Sequence, residues 1–182
     1  MTRPTLPPDR LTVLLLYSAF NGLSQRIDIE LRAAGHTVHR QLMADGLVDA
    51  VAAVDPDLIV CPYLRQRVPD EVWTRWATII IHPGPEGDRG PSSLDWAILD
   101  NATTWGVTAL QATEIMDGGP VWASRTFAMP ATAPRKSALY AGPVTDAAAD
   151  LLGDVLARAA DPSSAPRHVQ PGRPGVIGRE RP

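Results

Sequence analysis

After a short polar lead the chain enters a nearly unbroken apolar run, Leu11 to Tyr17 (LTVLLLY). Such a run suits a strand buried on both faces. From Asn21 to Ala34 the period changes. Leu23, Ile27 and Leu31 recur every four residues and Gly35 stands where a helix stops, so this segment predicts a helix. His36 to Leu42 reads as a second strand. Leu47 to Val54 reads as a short helix broken by Asp55-Pro56-Asp57. Leu58 to Cys61 is a third apolar strand, Pro69 to Trp76 a helix starting near its proline, and Thr78 to Ile81 a fourth strand, β-branched throughout.

Strand and helix alternate with short connections, which predicts an α/β fold: a mostly parallel sheet with helices on both faces. Ligands in such folds bind beyond the carboxyl ends of the strands. His82 directly follows the fourth strand and Ser18 to Gly22 follow the first, so both fall on that edge. In the second half, Ser92 and Ser93 stand where they can cap a helix running to Asp100. Gly106 to Thr113 and Val121 to Phe127 read as strands. Lys136 to Ala160 carries a long helical pattern that Pro143 interrupts or begins. Beyond Ala160 large apolar groups thin out, and Asp161 to Pro182 holds five prolines and three glycines. The expected organisation is an extension over residues 1–10, a single domain over 11–160, and a proline-rich linker or tail over 161–182.

Composition narrows the function. The chain has 182 residues, 45% apolar and 20% charged, with a net charge of −3. One domain with a real core fits that length, since domains run about 100–200 residues. No basic excess calls for nucleic acid and no basic amphipathic face calls for a membrane. The single cysteine, Cys61, has no partner for a disulfide or a thiolate metal site, and its apolar setting reads as core. The histidines at 36, 39, 82 and 168 show no ligand spacing, so no metal is expected. With no apolar signal core before Arg10, a cytoplasmic protein is expected.

The chemistry-bearing stretch runs from Thr78 to Val121. It contains His82-Pro83-Gly84, Asp88-Arg89-Gly90-Pro91, Trp96-Ala97-Ile98, Gly106-Val107-Thr108 and Met116-Asp117-Gly118-Gly119. Each piece alone is weak, because an Asp-Gly pair is usually a turn and a strand-end histidine is often structural. Their order and spacing resemble the catalytic domain of the 10-formyltetrahydrofolate enzymes, with a Rossmann-like formyltransferase fold. That family includes methionyl-tRNA formyltransferase, glycinamide ribonucleotide formyltransferase and the hydrolase domain of formyltetrahydrofolate dehydrogenase. A narrower resemblance lies in HPGPEGDRGPSSLDWAILD (His82 to Asp100), YSAFNGLSQR, WGVTALQA and VWASRTF, which look like the hydrogenase maturation factor family HypX/HoxX.

The resemblance implies formyl transfer from 10-formyltetrahydrofolate to coenzyme A. It also implies a crotonase-like domain or protein that releases carbon monoxide from formyl-CoA, and hydrogenase maturation proteins that use the carbon monoxide. His82 would donate to the oxygen that gains charge, with Asp117 orienting it and relaying the nucleophile's proton. The pterin pocket would run along Tyr63, Leu64, Arg65, Gln66, Arg67 and Val68. Thr113, Glu114, Ile115 and Met116 would close its other side. Ser18, Asn21, Gly22, Arg26 and Arg89 are the candidates for contact with an anionic acceptor. The sequence departs from the family at Ile80, where the family's catalytic asparagine sits two residues before the histidine. A hydroxyl of Ser92 or Ser93, or a backbone N–H near Gly90, is the expected replacement donor. The loop Gly84 to Asp88 also replaces the family's usual segment and is one residue shorter. Two other functions stay open from the sequence: a 10-formyltetrahydrofolate hydrolase, since the dehydrogenase's hydrolase domain also has Ile-x-His, and a non-catalytic folate-binding module.

Overall fold

The computed structural model describes residues 10–132 and 135–161. The expected extension up to residue 9 and the tail from residue 162, with His168, lie outside the described residues. The apolar runs become strands β1 (Thr12–Tyr17), β2 (Thr37–Leu42), β3 (Leu58–Tyr63) and β4 (Thr78–His82), and the second half adds β5 (Thr104–Gln111) and β6 (Val121–Ala128). They form one six-stranded sheet in the order β2-β1-β3-β4-β5-β6. β1 pairs parallel with β2 and β3, and β3 parallel with β4. β4–β5 and β5–β6 are antiparallel.

The helices are α1 (Gly22–Ala33), α2 (Leu47–Val54), α3 (Asp70–Trp73), α4 (Ser93–Leu99), α5 (Lys136–Leu139) and α6 (Thr145–Ala160). The sheet is covered on both sides. Leu23, Ile27 and Leu31 of α1 and Leu151 and Val155 of α6 pack with Val13, Leu15 and Val60. Leu47, Val51 and Val72 pack with Leu14, Leu16 and Ile59 on the opposite face. Alternate residues of β1 thus serve opposite cores, which is why that strand is apolar throughout.

The strand order reverses at β1, between β2 and β3, and the crevice at such a switch point is where α/β sheets bind ligands. One expectation needs correction. The helix expected over Pro69 to Trp76 is only the short α3, beyond which the Trp76 N–H still bonds to the Val72 carbonyl. The interruption expected at Pro143 in the helical stretch from Lys136 takes the form of a π-helical turn, Tyr140–Val144. Proline has no N–H for the regular helical ladder, and the wider turn absorbs that loss.

Candidate active site

The site forms where β4 ends. Ile80 and His82 are two residues apart on the strand and so point to the same side. Both line a cavity of about 1140 Å3. After His82 the chain folds back on itself. The Pro83 carbonyl accepts from Ser93 Oγ at 2.7 Å and from Trp105 Nε1 at 3.0 Å, and the Gly84 carbonyl accepts from Thr108 Oγ1 at 2.8 Å. Ser124 Oγ donates to Glu86 further round the loop. Helix α4 and strands β5 and β6 therefore hold the loop from three directions.

The fold-back brings in a carboxylate that the sequence reading left without a role. Asp88 Oδ2 lies 2.8 Å from His82 Nε2. Gly84 lies against this pair, and a Cβ there would overlap both the Asp88 carboxylate and His82 Nε2. Asp117 Oδ2 lies 3.5 Å from His82 Nδ1 and accepts the Gly90 N–H at 3.0 Å. The side chains of His82 and Asp88 are 5% and 4% exposed, and that of Asp117 is 13% exposed. Asp117 has φ of 49°, a left-handed conformation that Asp tolerates better than most residues. With Gly118 and Gly119 it makes the tight turn before β6. A Cβ on Gly119 would strike the Gln111 carbonyl, so that position needs glycine.

The other candidates separate. Tyr63, Leu64, Arg65, Gln66, Arg67 and Val68 all line the cavity, as do Thr113, Ile115 and Met116 across from them, while Glu114 is exposed outside it. Asn21 and Gly22 reach the cavity, but Ser18, Arg26 and Arg89 are not among its lining residues. Ser18 instead ties strand ends together: its hydroxyl donates to Gln66 Oε1 at 2.6 Å and accepts the Arg65 N–H at 2.8 Å. Arg26 pairs with Glu30 at 2.6 Å. Asn21 caps α1 by accepting the Ser24 N–H at 3.0 Å. Arg89 sits behind Gly118, with its Nε buried and without a hydrogen-bond partner.

Of the replacement donors expected for the missing asparagine, two are engaged. The Ser93 hydroxyl goes to Pro83 and the Gly90 N–H to Asp117. Ser92 lines the cavity with no side-chain capping bond, at φ of 69°. Besides Asp88, sequence reasoning missed Tyr140. Its ring meets Tyr63 edge-on at 6.2 Å on the cavity wall, and burial pushes its phenol up to about 12, opposed by a hydrogen bond with the Asn21 side chain. Among the described residues no group of three or more His, Cys, Asp or Glu side chains could hold a metal ion, and no helix is long and apolar enough to cross a membrane.

Comparison with known proteins fits this geometry. The chain superposes on methionyl-tRNA formyltransferase from Clostridium thermocellum with a TM-score of 0.68 at 14% identity, covering 87% of this chain and 68% of that one. The fold is thus that of the formyltransferases, a Rossmann-like α/β domain with its site at the carboxyl edge of the sheet. The hydrogenase maturation factor HoxX of Bradyrhizobium diazoefficiens is 41% identical over 166 residues, 90% of this chain and 29% of the relative. The crystal structure of HypX from Aquifex aeolicus in complex with tetrahydrofolic acid is 41% identical, with a TM-score of 0.85, and the match covers 88% of this chain and 28% of that one. Sequence and fold together make the chain a homologue of part of the HypX/HoxX hydrogenase maturation factors, with the formyltransferase fold. It spans a little under a third of the length of these relatives. No family model matches the chain.

Proposed function

We propose that this chain transfers a formyl group from 10-formyltetrahydrofolate to coenzyme A, giving formyl-CoA as a step toward the carbon monoxide ligand of NiFe-hydrogenase. The observation that carries the reading is His82, set between two carboxylates at the wall of a cavity large enough for a folate. Ligand pockets typically run about 300–1,000 Å3. That HypX from Aquifex aeolicus has been crystallised in complex with tetrahydrofolic acid supports a folate as the ligand of this chain. The catalytic unit is taken as residues 11–160, working in the cytoplasm with a crotonase-like domain or protein and the hydrogenase maturation proteins.

The residues divide the work as acyl transfer requires. The acceptor sulfur bonds to the formyl carbon as the bond from that carbon to the folate nitrogen breaks. His82 donates a hydrogen bond to the formyl oxygen as negative charge gathers there. Asp117 receives the thiol proton and passes it to the departing nitrogen, so the proton balance closes without a third reactant. Tyr63 to Val68 hold the folate rings on one side and Ile115 and Met116 on the other.

Hydrolysis is the second reading, favoured by Ile80 in the cavity wall where the transferases carry an asparagine. Water would then replace coenzyme A. Incubating the purified chain with 10-formyltetrahydrofolate, with and without coenzyme A, separates the two. The transferase forms formyl-CoA and loses it by about 10²-fold or more in His82→Ala and Asp117→Asn. The hydrolase releases formate and tetrahydrofolate without coenzyme A. Folate binding with no turnover, unchanged in His82→Ala, would leave only a folate-binding module.

A further inference from the structure

We propose that Asp88 is the positioning carboxylate of His82, and that the nitrogen working toward the cavity is Nδ1, beside Asp117. This inference deepens the formyl-transfer reading and rests on it for its chemical role. Asp88 meets Nε2 at 2.8 Å, the shorter of the two carboxylate contacts, while Asp117 stands 3.5 Å from Nδ1. The Nε2 end is closed. Gly84 covers it so tightly that a Cβ would overlap the ring nitrogen, and the Asp88 side chain there is 4% exposed. Neither Gly84 nor Asp88 lines the cavity, whereas His82 and Asp117 both do. No substrate atom can reach Nε2 without displacing the loop.

The arrangement follows the general pattern of a working imidazole turned and held by a group on its far side. Asp88 accepts the Nε2 hydrogen and so fixes the ring plane, and the hydrogen bond to the formyl oxygen then comes from the second ring hydrogen, on Nδ1, in the protonated ring. Asp117, nearer the cavity and held by the Gly90 N–H, is left for proton movement. The loop that distinguishes this chain from its wider family therefore supplies a carboxylate of its own. Its hold depends on the carbonyls of Pro83 and Gly84 being pinned by Ser93, Trp105 and Thr108. A single departure thus accounts for the short loop, the glycine at 84 and the buried acid at 88.

The test combines nitrogen-15 NMR of the His82 ring in the full chain with kinetics of Asp88→Asn. The wild-type ring should show a hydrogen on Nε2, with an Nε2 shift that moves in Asp88→Asn and much less in Asp117→Asn. Tetrahydrofolate affinity of Asp88→Asn should stay within about threefold of wild type. Formyl transfer should fall by about 10²–10⁴-fold, mostly in kcat, with an altered pH profile. An Nε2 resonance indifferent to Asp88→Asn would overturn the proposal. So would loss of folate affinity in step with activity, since Asp88 would then only hold the loop. The NMR arm needs no turnover, so an inactive wild type would sink the transferase reading while the spectrum still decides whether Asp88 holds His82.

Discussion

The Ser93 hydroxyl donates to the Pro83 carbonyl at 2.7 Å, so a group expected to stabilise an oxyanion instead anchors the loop behind His82. Trp105 Nε1 shares the same oxygen at 3.0 Å. Ser93→Ala removes one of two donors and leaves the carbonyl satisfied. The loss should be close to the net worth of a single hydrogen bond, about 0.5–1.5 kcal/mol. For a domain of this size that lowers Tm by about 2–4 °C per kcal/mol. Thermal unfolding should show this, with kcat changed less than about tenfold.

Ser92 should behave in the opposite way. Its φ of 69° places a Cβ-bearing residue in the left-handed region, which glycine occupies without strain. Ser92→Gly should therefore raise Tm. Yet Ser92 carries the one hydroxyl, of the two serines considered, that is free to face the cavity. If it replaces the missing asparagine, kcat should fall by about 10²-fold while stability rises. Unfolding and steady-state kinetics on the same preparation read both. Unchanged kcat would remove Ser92 from the reaction.

Gly84→Ala tests the fold-back itself. The new methyl would overlap Asp88 and His82 Nε2, and both side chains are too buried to swing aside. The loop must move or the pair must break. Losing a buried hydrogen bond to a charged group costs about 1.5–3 kcal/mol, and activity should drop as far as in Asp88→Asn. A variant with wild-type Tm and kcat would contradict the observed packing.

Much of this was legible in the sequence where periodicity carries it. Val13 to Tyr17 had to be buried on both faces, and Leu23, Ile27 and Leu31 had to make one helical stripe, because no other placement hides them. His82 at a strand's carboxyl end was readable for the same reason. Asp88 was not. Its partner lies six residues back across a turn containing Gly84 and Gly87, and loop closure of that kind leaves no periodic trace. The π-helical turn at Tyr140 to Val144 was also hidden, since Pro143 marks a disturbance without fixing how the helix absorbs it. Strand direction after β4 depends on pairing with β5, which no local pattern encodes.

Acid stability should depend on Asp28, far from the cavity. Its side chain is 4% exposed and meets Arg40 Nη2 at 2.6 Å and Arg32 Nε at 3.2 Å. Hydrogen bonding to Arg40, with Arg32 assisting and burial opposing, holds the carboxyl below its ordinary value of 3.8. A carboxyl depressed in the folded state contributes stability that is present above its unfolded value and is lost as pH falls through the folded one. Asp28→Asn should therefore be less stable than wild type at pH 7, with the gap closing below about pH 3.8. Denaturant unfolding at several pH values would show the two curves converging; a constant gap would mean the loss is one of packing.

Ile80→Asn asks whether the site lacks a donor at all. Ile80 faces the cavity two residues before His82, where the resembled transferases place an amide. One such donor is worth about 2.7–4 kcal/mol when nothing replaces it. Against this stands the fold, since Ile80 lies between Cys61 and Leu110 on the neighbouring strands and also packs against the α2–α3 core. Replacing a half-buried β-branched residue by asparagine should cost about 1–3 kcal/mol of stability. If the site is a transferase short of a donor, kcat for formyl transfer should rise by about 10²-fold or more despite the lower Tm. If Ser92 already supplies the hydrogen bond, kcat should stay flat in Ile80→Asn and rise only in the Ser92→Gly background, where the new amide would restore what the serine had given. Measuring both backgrounds makes the two donors report on each other, because groups serving the same oxygen cannot contribute additively.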